Sequence, residues 1–394
     1  MKKCVDCGNN PIPHMYLWID STLTVVTNTL SQSVFGSVFE HTHFSRAADV
    51  FAEQFVKVNL LLGFMKRSTV LLDERNGRAE VLFAEAKKRG IPIVHLSFFG
   101  LSTDTYIATV NDREIVISSS PRAPKTKSIS STWLDDKAIF KKKLEQAGFP
   151  VPLGGSANTF SQAKEIFSRI EKPVVVKPRI GSRGRHTTTM ISTVADLKKA
   201  FVSAKKLCHW VVVEEHIIGD VYRATIIDGV VEGVLGASPP RVKGDGIHTI
   251  GELVLQKNIE REDRVKEIAL TSAHLDFLNR VGRKIRDLPK KDEIIDLIEK
   301  VGLSYGGLSS EDTNVTHPKM MDVMSRVGKY LADPLLGLDF IIPDIRRSPE
   351  EQRWGITECN AAPFIDLHHH PLHGKPRNIA AKVWDYVERH IDEF

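Results

Sequence analysis

The sequence predicts a mixed chain, α/β or α+β with antiparallel hairpins, rather than a simple doubly wound sheet. Three observations predict it. Short valine-rich runs at 173–178 (PVVVKP) and 210–214 (WVVVE) read as fully buried strands. Helix-like stretches that end in Gly or Pro alternate with them. Two β-branched runs, 221–227 and 230–235, are joined by Asp228-Gly229, a strong two-residue hairpin signal.

The 394 residues suffice for roughly two to three domains of about 150 residues each. With 42% hydrophobic, 26% charged and 7% aromatic residues, the composition excludes a disordered chain, a collagen-like repeat and a disulfide scaffold. The 54 Lys and Arg against 49 Asp and Glu leave a net charge of +5. That suits anionic ligands but is too small to argue for nucleic acid. No run approaches the length of a membrane span. Lys2 and Lys3 are followed by Cys4, Asp6 and Asn9 where a signal peptide would be apolar. Four cysteines make no disulfide framework, so a reducing cytoplasm is the expected location.

In chain order, 1–131 reads as one unit with weak signals: a short apolar segment at 67–72, a helix over 79–89 stopped by Gly90, and a strand at 91–96. The Ser-, Pro- and Lys-rich stretch 118–131 reads as a linker and as the best domain boundary. A helix is expected over 135–147, closed by Gly148, Pro150 and Pro152. Strands at 173–178, 187–191 and 210–214 and a helix over 195–206 follow. Beyond the 221–235 hairpin, helices are expected near 249–257, 292–301, 319–332 and 378–391, with strands near 337–345 and 354–359.

Several groups could carry chemistry. Lys177 ends a three-valine strand, and the loop Gly181-Ser182-Arg183-Gly184-Arg185 follows. Free backbone N–H groups with Lys and Arg make a phosphate cradle, and a solvated surface turn is the competing reading. Glu214 and Glu215 end another strand, where neighbouring side chains point to opposite faces, so at most one of them lines any pocket. Arg241, Lys243, Asp245 and His248 lie in a Pro/Gly-rich stretch that reads equally as an active-site loop or a plain connection. Asp339 sits in an apolar strand; Glu358 and Asn360, two apart on an extended segment, face one way. Three converging oxygen ligands of this kind suit Mg2+. A carboxylate among Leu338, Phe340 and Ile341 is costly unless paired, which favours the metal reading over a structural one. His368, His369, His370 and His373 cannot all face one ion, so zinc is not expected there. Cys4-x-x-Cys7 with His14 is half of a zinc site with no second ligand pair nearby in sequence, leaving a reduced CxxC or a partial metal clip.

Taken in order, DDKAIFKKKLEQAGFPVPLG, PVVVKPRIGSRGRH, VVVEEHIIGDVYR, PPRVKGDGIHTIGEL, GLSYGG, GLDFIIPDI and TECNAAP resemble the ATP-grasp portion of cyanophycin synthetases and related amino-acid and peptide ligases, over roughly 136–387. The resemblance implies an α+β ATP-grasp fold, two α/β subdomains clamping ATP, preceded by a smaller N-terminal α/β domain. The implied division is 1–131, an N-terminal domain of unassigned role; 132–215, the subdomain with the phosphate loop; and 216–394, the subdomain with the metal ligands.

It further implies that Lys137, Lys177, Gly181, Ser182, Arg183 and Gly184 contact the ATP phosphates, that Glu214 and Glu215 border the adenine, and that Asp220 meets the ribose. Arg223 and Arg241 would hold the transferred phosphate as catalytic residues. Asp339, Glu358 and Asn360 would bind two Mg2+, with Mn2+ the alternative ion. The implied activity is ATP-dependent carboxylate–amine ligation through an acyl-phosphate, on an amino acid or peptide. The alternative is a catalytically inactive ATP-binding regulatory protein of the same fold. No nucleic-acid or membrane partner is expected, and a homo-oligomer is left open. Glu311 and Asp312 are candidates by position for the base that takes the amine proton.

Three departures from the family pattern stand out. Arg183 and His186 replace the histidine and the last glycine of the phosphate loop. Phe364 and Asp366 replace a glycine and an arginine after the metal-binding asparagine. The Mur-ligase-like domain that follows in cyanophycin synthetase has no counterpart before Phe394, so cyanophycin synthesis is not expected.

Overall fold

A computed structural model describes residues 4–7, 12–34, 54–71, 77–121, 133–181 and 184–394. Helix α1 (His14–Val34) buries Ser21, Val25 and Asn28, spaced four and three apart and so on one helix face. The same polar residues break up the apolar run in sequence. They are tolerated because they find partners: Ser21 Oγ donates to the Leu207 carbonyl at 2.7 Å, beside a small core of Val25, Ile180, Cys208 and Trp210.

Helix α2, described over 54–61, precedes β1 (Met65–Ser68), α3 (Gly77–Lys88), β2 (Ile93–Phe98), β3 (Leu101–Val110) and β4 (Arg113–Ser118). These four strands form an antiparallel sheet in the order β1-β2-β3-β4. The β3–β4 hairpin had no clear signal in the sequence; its turn uses Asn111 and Asp112, both at positive φ. The segment 1–131, expected as one unit, thus attaches at two places. Helix α1 packs beside Ile180 and Cys208, whereas the 65–118 sheet shares a core with Trp384 and Val387 near the C-terminus.

The first central lobe runs through α4 (Lys137–Gln146), β5 (Gly154–Ala157), α5 (Phe160–Arg169), β6 (Val174–Pro178), β7 (Thr188–Ile191), α6 (Val194–Ala204) and β8 (Val211–Glu215). Its sheet is antiparallel in the order β5-β8-β6-β7, with α5 and α6 packed against it through Phe167, Leu197 and Phe201. Asp136 caps α4, its side chain accepting from the Ala138 and Ile139 N–H groups, which orients the first turn and with it Lys137.

The second lobe begins with the hairpin β9 (Asp220–Ile227) and β10 (Val230–Ala237), turned by Asp228 and Gly229 at φ +52° and +71°. Strand β11 (Arg241–Lys243), helices α7 (Ile250–Glu260) and α8 (Ser272–Arg280) and strand β12 (Ile294–Asp296) follow. The expected helix over 292–301 is not formed. Ile294 and Ile295 favour extended backbone, and β12 pairs antiparallel with β11 so that Ile295 is buried beside Val242 and Leu253.

The remaining elements are β13 (Ser309–Glu311), α9 (Pro318–Leu331), β14 (Leu335–Ile342), β15 (Gly355–Asn360), α10 (Asp366–His369), β16 (His373–Gly374) and α11 (Ile379–Arg389). They complete a six-stranded sheet in the order β15-β14-β9-β10-β13-β16. The main core, with Phe140, Met324, Phe340 and Trp354, lies between this sheet and helices α4 and α9. Helix α4 therefore bridges the two lobes. Among the described residues no helix is long and apolar enough to cross a membrane.

Candidate active site between the two lobes

The cationic half of the site comes from α4 and β6. Lys137 and Lys141 lie four apart on α4, on one face, and Lys177 is next to last in β6; all three are buried. Glu214 on β8, itself 2% exposed, holds two of them: Lys177 Nζ lies 2.6 Å from its Oε1, and Lys141 Nζ binds its other oxygen. Burial would raise the Glu214 carboxyl, but Lys141 and Lys177 outweigh it and hold the group ionised. Burial pulls Lys141 down to about 8, against the pull of Glu214. Glu215 points the other way, as strand alternation requires; its carboxylate accepts from the Leu153 N–H and pairs with Arg353.

The carboxylate half comes from β9, β14 and β15. Register places Asp339 opposite Arg223 on one side and Glu358 on the other. Arg223 grips Asp339 with both arms of its fork, Nε to Oδ1 at 2.6 Å and Nη2 to Oδ2 at 2.8 Å. Asn360 Nδ2 lies 3.3 Å from Asp339 Oδ2. Lys137 joins the halves: its Nζ donates to the Gly181 carbonyl at 2.7 Å and pairs with Glu358 at 3.2 Å. Burial would raise the Glu358 carboxyl, yet Lys137, Lys177 and Arg223 together hold it at about 2. Asp339 is shifted upward, chiefly by burial, despite Arg223.

Seven sequence-predicted site residues thus meet: Lys137, Lys177, Glu214, Arg223, Asp339, Glu358 and Asn360. Asp220 and Arg241 form a separate group. Arg241 donates to Asp220 at 3.0 Å and to Asp296 at 2.8 Å, tying the start of β9 to the β11–β12 pair. Gly181 and Gly184 take φ +68° and +74°, the freedom a phosphate loop needs; Ser182 and Arg183 lie outside the described residues. Lys141 escaped the sequence reading, although its four-residue spacing from Lys137 places both on one helical face.

Glu311 does not serve as a free base. Its carboxylate is buried, receives His368 Nδ1 at 2.5 Å and Arg377 Nε at 3.2 Å, and also accepts from Thr313. Asp312 accepts from Ser310 Oγ at 2.6 Å. The histidine run disperses as expected: Thr225 Oγ1 meets His368 Nε2 at 2.8 Å, and His369 Nε2 accepts from the Ala380 N–H. Asp366, expected near the substrate, packs against the first turn of α3, where a Cβ on Gly77 would sit 2.6 Å from its Oδ2.

An antiparallel sheet carrying Lys177 and a mainly antiparallel six-stranded sheet carrying Asp339, Glu358 and Asn360, joined by helix α4 with Lys137 and Lys141, define the ATP-grasp fold. The comparisons agree. The chain is 31% identical over 322 residues to the cyanophycin synthetase of Trichormus variabilis, covering 78% of this chain and 34% of that protein. It is 32% identical over 267 residues to the glutathione biosynthesis bifunctional protein GshAB of Mannheimia succiniciproducens, covering 65% and 35%. A bifunctional glutathione synthetase from Pasteurella multocida matches at 26% identity with a TM-score of 0.52, over 79% of this chain and 43% of that one. No family model matches. The chain spans about a third of the length of these curated relatives.

Proposed function

We propose that the chain is an ATP-dependent carboxylate–amine ligase that forms an amide or peptide bond on an amino acid or peptide, working in the cytoplasm. The observation that carries this reading is the convergence of Asp339, Glu358 and Asn360 with Lys137, Lys177 and Arg223 across the lobe junction. The set supplies hard oxygen ligands beside fixed cations, the combination that phosphoryl transfer requires. All three metal-ligand positions are filled, which disfavours the inactive regulatory alternative.

The donor set fits a divalent ion of the Mg2+ class: the buried Asp339 carboxyl, the part-buried Glu358 carboxyl and an amide oxygen, with no sulfur or imidazole among them. Asp339, Glu358 and Asn360 would hold it, and two ions are proposed. When bound, Mg2+ would neutralise charge on the phosphates.

In the proposed reaction, an oxygen of the substrate carboxylate attacks the γ-phosphorus of ATP. The bond to the ADP oxygen breaks, leaving an acyl-phosphate. An amine then attacks the acyl carbon, phosphate departs with the electron pair of its C–O bond, and the amine loses a proton. Lys137, Lys141 and Lys177 place three positive charges along the triphosphate path before substrate arrives, so little reorganisation is needed. Arg223, locked on Asp339, presents a fixed positive edge at the carboxylate half. No covalent protein nucleophile is required.

The test is ADP release with ATP, Mg2+ and a panel of amino acids and short peptides, with product mass read by mass spectrometry. Turnover that requires one acid and one amine supports the ligase. ATP binding without turnover across the panel favours the regulatory alternative.

A further inference from the structure

We propose that Cys4, Cys7, His14 and His186 form a structural Zn2+ site that ties the N-terminal segment to the exit of the phosphate loop. The sequence supplies only three of these together. The fold brings the fourth, His186, from the end of the Gly181–Gly184 loop.

The four donor atoms lie within 4.8 Å of one another. His186 Nε2 is 3.5 Å from both the Cys4 and the Cys7 sulfur, and His14 Nε2 is 3.0 Å from the Cys7 sulfur. With Zn–S of about 2.3 Å and Zn–N of about 2.0–2.1 Å, a tetrahedral site has ligand–ligand edges of roughly 3.4–3.8 Å. The two His186 separations already match those edges, and the His14–Cys7 pair has to open by only about half an ångström. Two thiolates and two neutral imidazoles cancel the ion's charge. An S2N2 tetrahedron selects zinc, and four protein donors leave no open position, which makes the site structural rather than hydrolytic.

The surroundings are arranged for this. His186 Nδ1 lies 2.9 Å from the Ser203 carbonyl, which can only accept, so the proton sits on Nδ1 and the Nε2 lone pair faces the sulfurs. The ring is fully buried. The backbone of His186 is held at φ +52°, a region L-residues occupy only when their surroundings fix them there. The turn Val5–Cys7 is seated independently of any ion. Asp6 carbonyl accepts from His186 N–H at 3.2 Å and from Lys300 Nζ at 2.7 Å, and Asp6 Oδ2 accepts from Ser203 Oγ at 2.8 Å. Where the resembled family pattern has the last glycine of its loop, this chain carries a histidine whose ring is anchored. The proposed zinc fixes the loop exit at His186, just past the two positive-φ glycines, Gly181 and Gly184.

The experiment uses the full chain, purified without chelators or a metal-affinity tag. Elemental analysis is expected to find one zinc per chain that survives dialysis, and Co2+ substitution to give a thiolate-to-cobalt charge-transfer band with tetrahedral d–d bands. Cys7→Ser and His186→Ala are expected to lose the zinc. Cys4→Ser, at the less buried ligand, is expected to lose the zinc as well while keeping a cooperative unfolding transition, which separates metal loss from misfolding. Protein that takes up neither Zn2+ nor Co2+, or a Cys4–Cys7 disulfide in a non-reducing peptide map of freshly purified protein, overturns the proposal. These readouts need no nucleotide, so they stand or fall apart from the ligase reading.

Discussion

The two halves of the proposed nucleotide site solve the cost of buried charge in different ways. On the first lobe, one carboxylate, Glu214, serves two buried lysines, and a third lysine reaches across the junction. On the second, a guanidinium clamps one carboxylate in a bidentate pair, while the neighbouring carboxylate receives its cation from the other lobe. Removing a partner from a buried ion pair leaves an uncompensated charge and typically costs about 3–5 kcal/mol. The lysine lobe therefore holds surplus positive charge suited to a polyanion. The carboxylate lobe holds near-balanced charge, which an arriving divalent cation would upset unless the cations there rearrange. Substitutions on the two sides should accordingly fail in different assays.

The largest effect is expected at Glu358→Gln. It keeps the shape of β15 and leaves Lys137 its bond to the Gly181 carbonyl, so folding should survive. Turnover should fall by about 10²–10³-fold or more, the scale of losing one preorganised charge contact. Steady-state ADP release near the parent rate would sink the metal assignment. Asp339→Asn should lose turnover as well, with an added loss of thermal stability because Arg223 is left without its carboxylate.

Next is Glu214→Gln, which leaves Lys141 and Lys177 facing each other with no shared counter-ion. The expected loss is about 3–5 kcal/mol in denaturant unfolding, partly recovered by adding ATP, whose phosphates would replace the missing charge. If ATP gives no recovery, the lysines do not face the triphosphate. Lys177→Met should instead weaken ATP binding by about 10- to 100-fold, the worth of one or two charged hydrogen bonds. Isothermal titration showing the parent affinity would remove Lys177 from the nucleotide site.

The same contrast explains what was legible in the sequence. Strand parity foretold that Glu358 and Asn360 share a face and that only one of Glu214 and Glu215 turns inward, because a period of two is a property of the backbone itself. The hairpin at Asp228-Gly229 was equally local. Lys141 and the grip of Arg223 on Asp339 were not legible as contacts, since one needs the helix to be placed and the other needs the β9–β14 register. Helix α1 was hidden because its buried face carries polar residues, and one of them, Ser21, is satisfied by the Leu207 carbonyl almost two hundred residues away. The stretch 292–301 has helical-looking composition, and only pairing with β11 makes Ile294 and Ile295 a strand. His186 read as an intrusion in a phosphate loop, and its partners Cys4 and Cys7 read as half a site. Neither half carries the distance that joins them.

The smallest effect is a pH dependence that separates binding from stability on the lysine lobe. Burial lowers Lys141 from its ordinary 10.5 to about 8. Between those two values the unfolded chain binds a proton at this site that the folded chain has largely released, so the contribution of Lys141 to stability becomes more favourable as pH rises across that window. ATP binding should run the opposite way. The folded protein loses one of its three ammonium groups as pH passes about 8, and the affinity for ATP should decline there. A Lys141→Met variant should lose that step in affinity while keeping whatever pH dependence the other groups produce. Fluorescence titration with ATP across this range, in parent and variant, reads the difference directly. Matching curves would mean that Lys141 only braces Glu214 and that Lys137 and Lys177 carry the phosphates alone.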